Sequence, residues 1–121
     1  MMLVLGITLC LGGLAHSVGV AHMYVTKGAP DINRVLLDVW IAEAQLLGGA
    51  LYVVAYRALR AGRPWHIAAM AGALTVLSYA VAFIPVVFIR DPVIFRIAPV
   101  IYFSLSLVIL VRAVAASRTP V

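Results

Sequence analysis

The chain has 121 residues, 65% of them hydrophobic and 11% charged, with a formal net charge of +5; an ordinary soluble domain is nearer half apolar and a quarter charged. With a mean hydropathy of +1.14, lipid is its solvent, and at about 20 residues per span the length holds about four spans and no separate catalytic domain of aqueous composition. The basic residues are scattered beside apolar runs without a basic and aromatic patch, so they read as topology signals and not as a nucleic-acid footprint.

The first apolar run carries no Lys, Arg, Asp or Glu from Met1 to Thr26. It is too long for a signal peptide and has no basic segment ahead of it, which predicts a retained span over residues 2–25. Lys27-Gly-Ala-Pro-Asp31 makes a tight turn. The second span, 34–57, contains Asp38 and Glu43, ends in Arg57, Arg60 and Arg63, and is broken by Gly62 and Pro64. A third span is expected over 65–89, a turn at Arg90-Asp91-Pro92, and a fourth span over 93–115 with Arg96 near its start.

Backbone groups in hydrocarbon must bond within their own segment, so each run is expected to be helical. Continuous apolar runs exclude a transmembrane β-barrel, whose strands alternate. Pro85 and Pro99 fall inside helices and should kink them. The fold class is therefore all-α, an integral membrane four-helix antiparallel bundle forming one domain over 1–121. Arg57, Arg60, Arg63, Arg112 and Arg118 share one face with no acid, whereas Lys27, Arg34, Arg90 and Arg96 share the other with all four acids. By the positive-inside rule this is a multi-pass protein of the cell membrane with both termini cytoplasmic.

Counting depth along antiparallel helices at about 1.5 Å per residue brings the polar groups to one half of the bundle. His22 should share a shallow layer with Asp38, and His16 a deeper one with Glu43. Ser78, Tyr79, Tyr102 and Ser104 fall at the deeper level and Arg96 at the shallow one. The pattern describes a polar-lined cavity opening away from the arginine-rich face.

Glu43 is the leading catalytic candidate, because a charge near mid-bilayer costs about 2.5–3.5 kcal/mol on insertion scales and normally serves a purpose. An imidazole beside it would let the pair exchange a proton near neutral pH, which makes His16 its expected partner. A protonated Glu43 fixing helix packing is the structural alternative. Asp38, Trp40, Ser78, Tyr79, Arg96 and Tyr102 are expected around the ligand, although Asp38 and Arg96 could simply pair across spans and Trp40 could simply fill the core. Tyr24, Tyr52, Tyr56 and Trp65 read as membrane-surface anchors.

Asp38 and Glu43 are separated by about 140° around their helix, and Asp38 shares a stripe with Gln45, Gly49, Tyr52 and Tyr56. No metal or cofactor is expected: His16 and His22 diverge by about 120° and His66 lies at the other face, while the lone Cys10 rules out an internal disulfide, CxxC redox chemistry and sulfur-rich metal sites. Gly6, Gly12, Gly13, Gly19 and Gly48-Gly49 suit close helix packing and could equally form a homodimer seam.

The layout is similar to that of the small multidrug resistance transporters, also four-helix chains of about this length. That family's functional glutamate lies on the first helix, however, and the first span here has no acid. DoxX-like membrane proteins resemble the chain in size and helix count. No motif diagnostic of either family is present, and no family is assigned. Two functions fit the residues: acid–base chemistry by Glu43 and His16 on a hydrophobic small molecule or lipid-like substrate (isomerisation, cyclisation or hydrolysis), or proton-coupled export of a lipophilic compound through Glu43. An accessory subunit of a membrane complex is the non-catalytic alternative.

Overall fold

The computed structural model describes residues 1–79 and 94–119, without the side chains of 94–96. Four helices account for nearly all of this: α1 (Met2–Lys27), α2 (Ile32–Arg60), α3 (His66–Ser78) and α4 (Ile94–Ser117). The chain is an all-α, four-helix antiparallel bundle. Three of its helices, α1, α2 and the Ile97–Ser117 part of α4, are long and apolar enough to cross a membrane. The rest of the expected third span, with Pro85, and the Arg90-Asp91-Pro92 turn lie outside the described residues. Pro99 sits inside α4, which continues through it.

The turn between α1 and α2 is built from local chemistry. Gly28 ends α1 at φ 84°, a left-handed conformation open to glycine, with its N–H on the Tyr24 carbonyl. Asp31 then caps α2, its carboxylate accepting the Arg34 N–H at 3.0 Å. Only three residues separate Gly28 from the first residue of α2, so α2 must fold straight back along α1.

α2 is the central helix, packed against both α1 and α3, and α3 in turn packs against α4. A Cβ on Gly49 would stand 2.6 Å from the Gly6 carbonyl oxygen and 2.8 Å from the Cys10 sulfur, so only glycine lets the α1 and α2 backbones meet there. Gly48 does the same toward α3, where a Cβ would lie 2.5 Å from Val76 Cγ2. A Cβ on Gly19, expected on a packing stripe, would meet nothing within 4 Å among the described residues.

The core lies toward the arginine-rich end, where Leu5, Leu9, Tyr52, Ala55, Ala69, Ala73, Val76, Ile109 and Ala113 are buried. Within it the Tyr52 hydroxyl donates to Ser106 Oγ at 2.6 Å, tying α2 to α4. Full burial and this bond make Tyr52 a core residue, and not the surface anchor that its sequence position suggests. The chain start, the α2–α3 turn and the last turns of α4 come together around a cavity of about 350 Å³ whose wall includes Met1, Met2, Leu59, Trp65 and Arg112.

The azimuth of α2 decides which polar groups meet. Its buried residues are Asp38, Ile41, Ala44, Gly48, Gly49, Tyr52 and Ala55, a stripe at helical spacing. Asp38 is on that stripe. Glu43 is off it and exposed.

Candidate functional site

Asp38 is the polar centre of the described bundle, with only 2% of its side chain exposed. Its Oδ2 accepts the Tyr24 hydroxyl at 2.6 Å and the Arg34 Nε–H at 3.4 Å. Its Oδ1 stands 3.7 Å from His16 Nε2, within ion-pair range when the imidazole is protonated. Each partner arrives for a local reason. Arg34 is one helical turn before Asp38 on the same face. His16 and Tyr24, eight residues apart, share a face of α1 about 12 Å apart along the axis, and so flank the carboxylate from its two sides.

The cluster forms one wall of a cavity of about 440 Å³ in the α1–α2 turn, lined by Met23, Tyr24, Lys27, Gly28, Ala29, Pro30, Arg34 and Asp38. Lys27 and Arg34 supply two positive charges against the one negative charge of Asp38. Lys27 and the Arg34 guanidinium put cationic donors on this wall, and Met23, Ala29 and Pro30 give it an apolar surface.

The expected pairing of His16 with Glu43 is not what the structure builds. Depth counting puts these two residues at one level, but Glu43 faces a different neighbour. It lines a second groove, about 360 Å³, with Trp40, Ala44, Leu74, Thr75 and Ser78 between α2 and α3. Glu43 has no ion-pair partner among the described residues. His16 instead meets Asp38, while His22, expected to share a layer with Asp38, is exposed.

The other candidates divide between these places. Trp40 does not fill the core: it is 40% exposed, and its indole N–H donates to Ser78 Oγ at 3.3 Å. Tyr79 is buried against Phe103, ring to ring at 5.1 Å in an edge-on arrangement, and its hydroxyl faces the Gln45 side chain. Tyr102 is half-buried and packs on the core. The Arg96 side chain, and with it the expected Asp38–Arg96 pair, lies outside the described residues; the described cation on Asp38 is Arg34. Among the described residues no three His, Cys, Asp or Glu side chains stand close enough to hold a metal ion.

Two members of the Asp38 cluster escape a reading of the sequence. Tyr24 reads as an interfacial anchor and Arg34 as a topology charge. The available signal was the i,i+4 relation of Arg34 to Asp38, together with the position of Tyr24 one turn before the glycine that reverses the chain.

The fold and site thus define a class only, an all-helical bundle for the bilayer with one acid buried among donors and another exposed in a groove. No family model, curated protein or solved structure matches the chain.

Proposed function

We propose that this is an integral membrane protein of the cell membrane, with both termini cytoplasmic, that binds a hydrophobic small molecule in the α1–α2 cavity and exchanges a proton with it. The observation that carries this reading is the buried Asp38 carboxylate held between Tyr24 on the cavity wall and His16 behind it. A proton leaving the ligand passes to the Tyr24 oxygen as the Tyr24 proton moves to Asp38. The proton comes to rest on Asp38 Oδ2 and the ligand keeps the electron pair, while His16, 3.7 Å from Oδ1, stands close enough to bear on the carboxyl charge. Arg34 and Lys27 stabilise the negative oxygen that develops on the ligand head group. Asp38 takes the proton-exchanging role that the sequence pointed to in Glu43, because it has the imidazole beside it.

Such a site suits isomerisation, cyclisation or hydrolysis at a position next to a carbonyl or similar acceptor. The test is deuterium exchange into methyl nonyl ketone, a membrane-soluble carbonyl compound, by purified protein in detergent and D2O. Wild type should label the carbons flanking the carbonyl faster than buffer does, and Asp38→Asn and His16→Ala should fall to the buffer rate, with Glu43→Gln unchanged. The assay holds no gradient, so labelling there reports proton transfer and not coupled transport. Wild-type labelling at the buffer rate, or labelling that survives both substitutions, overturns the proposal.

A further inference from the structure

The groove around Glu43 is chemically one-sided. The Thr75 hydroxyl donates its proton to the Ala71 carbonyl at 2.7 Å, and the Ser78 hydroxyl donates to the Thr75 carbonyl at 2.7 Å. The Trp40 indole N–H is taken by Ser78 Oγ. Every side-chain donor that the described residues bring to the groove is therefore committed. What remains toward the open space is the Glu43 carboxylate, a free lone pair on each hydroxyl oxygen and the exposed indole ring. Among the described residues this wall accepts hydrogen bonds and offers none.

Counted from Val35, Glu43 sits about 12 Å along the helix from where the apolar run begins, and the side chain is exposed there. Leu74 on the groove wall is 58% exposed, so the groove opens sideways to hydrocarbon. A carboxylate in that medium is stabilised most by a cation that also donates hydrogen bonds, and the neighbouring indole adds attraction for the same charge. We infer that the Glu43 groove is a binding site, separate from the Asp38 cluster, for a lipophilic ammonium compound reaching it from within the bilayer. The N–H donors of a primary ammonium would engage Glu43, Thr75 and Ser78 while its apolar body lies along Leu74. Quaternary ammonium ions carry the charge without the donors and fit less well, and neutral alcohols lack the charge.

Trp40 gives the readout. In a Trp65→Phe background, reconstituted in phosphatidylcholine nanodiscs, Trp40 is the sole tryptophan. Titration with dodecylamine should change its emission saturably. Dodecyltrimethylammonium should bind about tenfold more weakly, the scale of one lost charge-assisted hydrogen bond, and dodecanol should give no saturable change. Glu43→Gln should abolish saturation, Thr75→Val should weaken it several-fold, and Asp38→Asn should leave it intact. Saturation that survives Glu43→Gln, or equal binding of amine and alcohol, overturns the inference. So does a homodimer that buries position 40, detected by cross-linking of a Trp40→Cys variant carrying Cys10→Ser, since the groove would then be occupied by protein. Thr75→Val, which keeps the shape of threonine and removes only the hydroxyl, still decides the question if Glu43→Gln fails to fold.

Discussion

Asp38 and Glu43 lie on one helix five residues apart, yet their surroundings are opposite in chemistry. Asp38 is buried and met by a hydroxyl, a guanidinium and an imidazole, all donors or potential donors. Glu43 is exposed, beside hydroxyls and an indole whose protons are already spent. A turn of about 140° around the helix separates a carboxylate met by donors from one with no ion-pair partner among the described residues. Depth in the bilayer does not choose a polar group's partner; azimuth does.

The largest expected effect tests this contrast directly. Asp38→Ala would leave Arg34 and His16 without their anion and should destabilise the bundle by about 2–3 kcal/mol, measured by SDS-induced unfolding in mixed micelles. Glu43→Gln should leave stability unchanged or raise it, having no ion pair among the described residues to lose. Equal losses for the two would erase the distinction between the sites.

A second substitution probes what sets the azimuth. Gly49→Ala places a methyl against the Gly6 carbonyl and Cys10, forces α1 and α2 apart, and should cost about 1–3 kcal/mol. Because His16 and Tyr24 reach Asp38 only across that seam, the same change should loosen the Asp38 cluster, and cysteines at 24 and 38 should cross-link less readily. The Trp40–Ser78 side of α2 should be less affected. The smallest effect serves as a control distant from both acids. Ser106→Ala leaves the buried Tyr52 hydroxyl without its acceptor and should cost about 1–2 kcal/mol, with neither ketone labelling nor amine binding altered.

Much of this protein is legible in its sequence. The apolar runs, the Lys27–Asp31 turn and the arginines after Tyr56 determine the helices and their antiparallel order, because span length and chain reversal are local properties of composition. The stripe from Asp38 through Gln45 and Gly49 to Tyr52 is also in the sequence, and it already separates Asp38 from Glu43. What only the tertiary structure decided is which stripe faces inward. In hydrocarbon an apolar residue gains little from burial, so hydrophobic periodicity carries weak orientation information. The rotation of α2 is set by steric fit instead, by Gly49 against Gly6 on one side and Gly48 against Val76 on the other. That fit turns Asp38 toward His16 and Tyr24, and turns Glu43 away from both.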